Sequence, residues 1–131
     1  VYWLSTVEDQ MTDKHVQFGT TEVARHGDMR LLRELASPRL ATEAFWSKGV
    51  VSLTLRNTGK VVAFGVSAEL VEETGSREPI LPVLWSDNIL IIAPGEEITI
   101  TAEKGGGAPL EERPFVELSA WGMEALVIHP V

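Results

Sequence analysis

The residues of this sequence with the right type for general acid–base chemistry are adjacent glutamates: Glu72 with Glu73, Glu96 with Glu97, and Glu111 with Glu112. Two carboxylates divide such work only when both reach one reacting atom. Each pair stands in or beside turn-forming residues, and neighbours on a strand point to opposite faces. No catalytic residue is therefore assigned. His15, His26 and His129 are isolated, with no i, i+4 pair or nearby ligand cluster that would hold zinc. No Gly-x-Ser-x-Gly elbow is present. Lys104-Gly105-Gly106-Gly107 lacks the Gly-Lys-Ser/Thr of a phosphate loop and runs into Pro109, so it reads as a hairpin loop. With no cysteine, a disulfide framework and a thiolate metal site are both excluded. Neither a metal nor a cofactor is expected.

Binding chemistry is better represented. Trp3, Trp46, Trp85 and Trp121 could each stack on a sugar face if exposed, whereas buried they are packing residues. Trp85 stands beside Ser86-Asp87-Asn88, whose short polar side chains bond neighbouring backbone and make a self-capped corner, which favours packing there. Trp121 runs in phase with Phe115 and out of phase with Val116, Leu118 and Ala120, so it faces away from their side of the strand. Trp85, Asp87, Asn88 and Trp121 are the candidate carbohydrate contacts. Asp87 and Asn88 also carry oxygens suited to calcium, but two ligands are too few for a site.

These residues must be positioned by strands. In Val50-Val51-Ser52-Leu53-Thr54-Leu55-Arg56 apolar and polar residues alternate, the period of a half-buried strand. Asn57-Thr58-Gly59-Lys60 is turn chemistry, and residues 61–71 follow as a long strand. Residues 81–102 read as strand, corner, strand, Pro94-Gly95 turn and alternating strand. Residues 41–46 form a weaker candidate before Ser47-Lys48-Gly49, and residues 115–121 and 124–128 make a last pair hinged at Gly122. About seven short strands with polar turns between them predict an all-β, immunoglobulin-like antiparallel sandwich over residues 38–131. Residues 1–37 read as a connector: a strand-like, aromatic start, a polar stretch over residues 7–27 without sustained period, and a helix of one or two turns from Asp28 to Leu35, stopped by Pro38.

At 131 residues the chain has room for one core of ordinary size. A mean hydropathy of +0.07 and 44% apolar residues place it among globular chains. No run approaches the roughly 20 apolar residues of a membrane span. A net charge of −8, with the eleven Lys and Arg scattered, argues against a nucleic-acid partner. The first residue is a valine inside a strand-like segment, as in a fragment of a longer protein.

Several of these pieces, in order, carry a resemblance. Leu53-Thr54-Leu55-Arg56-Asn57-Thr58-Gly59, Val62-Ala63-Phe64, Leu81-Pro82-Val83-Leu84-Trp85-Ser86-Asp87-Asn88, Pro94-Gly95-Glu96 and Leu118-Ser119-Ala120-Trp121 resemble the C-terminal immunoglobulin-like domain of glycoside hydrolase family 2 enzymes of the exo-β-D-glucosaminidase and β-mannosidase type. Tyr2-Trp3-Leu4-Ser5-Thr6 is similar to the final strand of the domain that precedes it in those enzymes. The chain departs from the family pattern at Ile89, where a tyrosine is usual, and at Ala120 and Gly122, where Gly and Asn are preferred. The resemblance implies a non-catalytic accessory domain that packs on the other domains of its parent. The two catalytic glutamates of such enzymes sit on a (β/α)₈ barrel of ~250 residues, which this chain is too short to contain. An independent carbohydrate-binding module, with an oligosaccharide as partner, and a protein–protein adhesion sandwich are the alternatives; neither nucleic acid nor membrane is an expected partner.

Overall fold

The computed structural model describes residues 7–16, 20–28, 30, 34–73, 77–106, 109–110 and 112–131. The chain divides into two compact units, Val1–Leu35 and Ala36–Val131.

In the first unit β1 (Gln10–Val16) pairs antiparallel with β2 (Thr20–Arg25), through an irregular register. Here the sequence shows no sustained period, and the ribbon explains why. Of the side chains described in it, Met11, Glu22, Ala24 and Arg25 are exposed and Thr12 and Val23 half-buried, so none of these positions is fully hidden and no alternation is imposed on them. Asp9 Oδ1 accepts the Gly27 N–H at 2.6 Å, and Asp28 takes a two-pronged contact from Arg30 at 2.6–3.0 Å. Those hydrogen bonds from Arg30 hold the Asp28 carboxyl at about 2. Of the helix expected over residues 28–35, residues 29 and 31–33 lie outside the described residues, as do residues 1–6 with their aromatic segment.

The second unit is the sandwich. Its strands are β3 (Leu40–Ser47), β4 (Val50–Asn57), β5 (Ala63–Val71), β6 (Val83–Trp85), β7 (Leu90–Ile92), β8 (Glu97–Lys104), β9 (Phe115–Ala120) and β10 (Met123–Ile128). They form two four-stranded antiparallel sheets, ordered β3-β4-β8-β6 and β10-β9-β5-β7. The all-β immunoglobulin-like expectation holds, with eight strands where about seven were predicted. Lys48 and Gly49 both take positive φ, 52° and 79°, in the two-residue turn joining β3 to β4, the geometry that matches strand twist in a hairpin. An added Cβ at Gly49 would sit 2.8 Å from the Pro109 Cβ, so the turn is also a close approach.

Alternation decides what the sheets bury. Val51, Leu53 and Leu55 of β4, Ile100 and Ala102 of β8, Val66, Ala68 and Leu70 of β5 and Val116 and Leu118 of β9 point into one apolar core. Each fully buried Val or Leu contributes about 1.5–3 kcal/mol relative to its exposed state. The next inward position of β4 is occupied by Asn57, fully buried. Its Nδ2 donates to Val61 O at 2.8 Å and to Ile92 O at 2.9 Å, and its Oδ1 accepts from Gly59 N at 2.9 Å. Its backbone N–H and C=O bond Glu96 O and Gly95 N. The turn residue of the sequence reading is thus an inward residue as well. It ties the end of β4, in one sheet, to β7 in the other and to the Pro94-Gly95 turn.

Replacing Asn57 by Ala leaves the Gly59 donor and the Val61 and Ile92 acceptors without this partner. The expected loss is about 3 kcal/mol, read as a lower urea midpoint, and a loss below about 0.5 kcal/mol would show that the tie is dispensable. In carboxyl NMR, Asp28 should titrate near 2, and the Arg30→Gln variant should raise it only part of the way back to the ordinary carboxylate range, because the backbone N–H of residue 30 still donates to it. Because the shift is downward, any stability it adds is present above the ordinary aspartate pKa and is lost as pH falls towards 2.

Candidate functional site

Where β6 and β7 leave the sheets, the corner Ser86-Asp87-Asn88 uses its side chains on backbone. Ser86 Oγ accepts Thr101 N–H at 2.9 Å and Asp87 Oδ1 accepts Asn88 N–H at 2.8 Å. Asn88 Oδ1 accepts from Ala68 N at 3.1 Å, while its Nδ2 donates to Ala68 O at 3.2 Å. This amide therefore bonds the β5 edge as another strand would. β7 pairs with β5 only as far as Val66, and beyond it Asn88 and the Ile80 N–H to Leu70 O bond take over. Its Oδ1 also accepts the Ile89 N–H at 2.9 Å, so both ends of the Asn88 amide are engaged by backbone at this corner.

Beside that edge lies a mainly apolar groove of about 370 Å³, walled by Leu70, Ile80, Val83 and Trp85, with Glu69 and Asn88 as its polar members. Trp85 is half-buried and packs against the core cluster, while Asp87 is exposed at the corner and is not among the groove's lining residues. Of the four candidate sugar contacts, the structure brings Trp85 and Asn88 to one groove. Trp121 lies elsewhere.

Trp121 occupies the turn between β9 and β10, with its neighbour Gly122 at φ 73°. Its backbone N–H donates to Phe64 O at 3.0 Å, and the two rings meet edge to face with centroids 6.1 Å apart. Beneath the indole is Gly65, at φ 60° in an irregularity of the β5–β7 register. A Cβ there would stand 2.8 Å from Trp121 Cδ1. Glycine in mid-strand commonly marks such a bulge or close approach, and this signal was available in the sequence. Trp121 nevertheless keeps 44% of its surface exposed, and Ile91, the cross-strand partner of Phe64, keeps 43%.

Farther along the same outer face, Glu69 of β5 and Glu117 of β9 are cross-strand partners. The sequence reading, confined to adjacent glutamates, missed this pair because it depends on strand register. Neither has a cationic partner among the described residues. Glu69 is exposed and Glu117 half-buried, and among the described residues the groove includes Glu69 but not Glu117, so the two carboxylates do not share one enclosed pocket. Of the doublets, Glu96 spends its Oε2 on the Ala93 N–H at 2.7 Å. His129 lies against the Phe115 ring, centroids 4.1 Å apart, and His26 Nδ1 is 3.9 Å from Asp9 Oδ1. Among the described residues no three His, Cys, Asp or Glu converge on a metal position, and no helix is long and apolar enough to cross a membrane.

Comparison with known proteins identifies a family for this chain. The profile described as "Exo-beta-D-glucosaminidase Ig-fold domain" matches residues 18–123. The exo-β-D-glucosaminidase of Amycolatopsis orientalis is 31% identical over 128 residues, covering 92% of this chain and 12% of that protein. The enzyme of the same name from Streptomyces avermitilis is 30% identical, covering 92% and 14%. In structure, the chain is similar to the A. orientalis exo-chitosanase CsxA, with a TM-score of 0.79 at 27% identity over 98% of this chain and 16% of that one. The chain thus spans about an eighth of the length of these curated relatives.

Gly65→Ala should destabilise the sandwich by about 1–2 kcal/mol, since it adds both a strained φ and a clash with the indole. In a Trp121→Ala background the clash is gone and the same change should cost distinctly less. A double-mutant cycle by urea unfolding reads the coupling; simple additivity would mean that the indole does not rest on this glycine.

Proposed function

The chain belongs to the exo-β-D-glucosaminidase Ig-fold domain family, and from that premise we propose that it is a non-catalytic accessory domain of a glycoside hydrolase family 2 enzyme, packing on the other domains of its parent. The parent hydrolyses terminal β-glycosidic bonds, with D-glucosamine as the residue released. The observation that carries this reading is the match of nearly the whole chain to about an eighth of each relative, in a segment described by its fold. The internal chemistry supports it. Asn57, Ser86, Asn88 and Glu96 all direct their polar atoms to backbone, which holds the sandwich together and leaves them less available to a substrate. In the division we propose, residues 1–37 are the connector and residues 38–131 the sandwich. The compact unit beginning at Ala36 and the hydrogen bond from Ser37 Oγ to Gly122 O support a boundary within a residue or two of that point.

Exposed Trp121 favours a second reading, in which the domain also touches carbohydrate. Asp87 belongs to this reading only as an exposed polar neighbour of the corner, and Trp85 and Asn88 through their shared groove.

The isolated chain should release no p-nitrophenol from p-nitrophenyl β-D-glucosaminide above the uncatalysed rate. Turnover that disappears in Glu69→Gln or Glu117→Gln would overturn the accessory reading. A chain of residues 36–131 alone should unfold cooperatively in urea; failure to fold would place the boundary elsewhere.

A further inference from the structure

The outer face of the β10-β9-β5-β7 sheet carries an arrangement that the fold does not require. At one end Trp121, Phe64 and Ile91 form an apolar row, held by the Gly65 bulge. At the other end stand Glu69 and Glu117, side by side across the ladder. Between them on β5 and β9 the register places Ser67 opposite Ser119, two small hydroxyl side chains. The four residues from Gly65 to Glu69 set the two ends about 13 Å apart along β5. The face is thus a shallow track with an aromatic platform at one end and two carboxylates at the other.

Like charges directly opposite in a sheet destabilise it, and these carboxylates have no cation beside them among the described residues. A cationic ligand relieves that repulsion. The chain as a whole, at −8, attracts polycations. An exposed indole fixed on a rigid seat offers a flat apolar surface that loses little freedom on binding. A ligand matching all three features is extended, has apolar ring faces and carries positive charge at intervals.

We propose that this face binds a short β-linked oligomer of D-glucosamine in its ammonium form, one ring stacked on Trp121 and an amino group some rings along held by Glu69 and Glu117. The inference rests on the accessory-domain reading, which supplies D-glucosamine as the sugar. It adds a surface where the polymer is held outside any catalytic pocket. Trp85 takes no part, and of the residues lining the groove beside it only Glu69 does.

The test is a titration of the chain with a short chitosan oligosaccharide in slightly acidic, low-salt buffer, followed by the indole N–H signals in NMR, which report the four tryptophans separately. Expected are a saturable shift at Trp121 with Trp85 still, about tenfold weaker binding in Trp121→Ala, and about fivefold weaker binding in Glu69→Gln with Glu117→Gln. Added salt should weaken the complex, and the neutral N-acetylated oligosaccharide should bind less well than the cationic one. The glutamine pair lies on the open surface, so its fold is secure even if Trp121→Ala proves unstable. The proposal is overturned by a flat titration, by equal affinity for the cationic and neutral oligosaccharides, or by shifts centred on Trp85. Hydrolysis of the oligosaccharide during the titration would instead refute the accessory reading, so the two failures are distinguishable.

Discussion

One buried asparagine sets the terms for the sandwich. An apolar residue at position 57 would continue the inward series of Val51, Leu53 and Leu55, but it would leave the backbone groups of Gly59, Val61 and Ile92 without their present partner. Buried amides and carbonyls require such partners, and three of them converge where the chain leaves one sheet for the other. Asn57 has the donors and acceptor to serve them from one position. Its backbone meanwhile fixes the Pro94-Gly95 turn, which starts β8 in register with β4. The alignment of the two sheets thus depends on a polar side chain inside an apolar core.

The corner at Ser86-Asp87-Asn88 solves a related problem by the same means. β5 is a long strand whose partner β7 covers only part of one edge, and an unpaired edge invites other chains. Asn88 supplies a surrogate peptide group there, and the segment before β6 supplies Ile80. On the opposite sheet, Val131 exchanges hydrogen bonds with Ala44 and Trp46 along β3. Ser86, Asn88 and Glu96 are in this way engaged by the fold, whereas Glu69 and Glu117 stand on the outer face of their sheet and Trp121 is partly exposed there.

Strand periodicity made the sandwich legible, because Val51, Leu53, Leu55, Ile98 and Ile100 alternate with polar residues on strands that bury one face. The turns at Lys48-Gly49 and Pro94-Gly95 were legible from their backbone chemistry. The ribbon of β1 and β2 was not, since its described side chains are exposed or half-buried and follow no hydrophobic period. Asn57 was read as a turn residue because local propensity carries no information about Ile92, 35 positions away. The cross-strand glutamates were hidden for the same reason: residues 69 and 117 meet only through the register of β5 and β9. Long-range pairing made both the tie that stabilises the core and the face that could bind a ligand.

Hydrogen exchange under native conditions tests the tie most directly. Gly59 and Gly95 donate to the Oδ1 and backbone O of Asn57 from short loops that would ordinarily exchange by local opening. If Asn57 holds the two sheets together, both amides should exchange only with global unfolding, at the free energy of the slowest core amides such as Leu53 and Leu118. Exchange of Gly59 and Gly95 at the rate of exposed loops, with the core still protected, would show that the sheets are held by apolar packing alone.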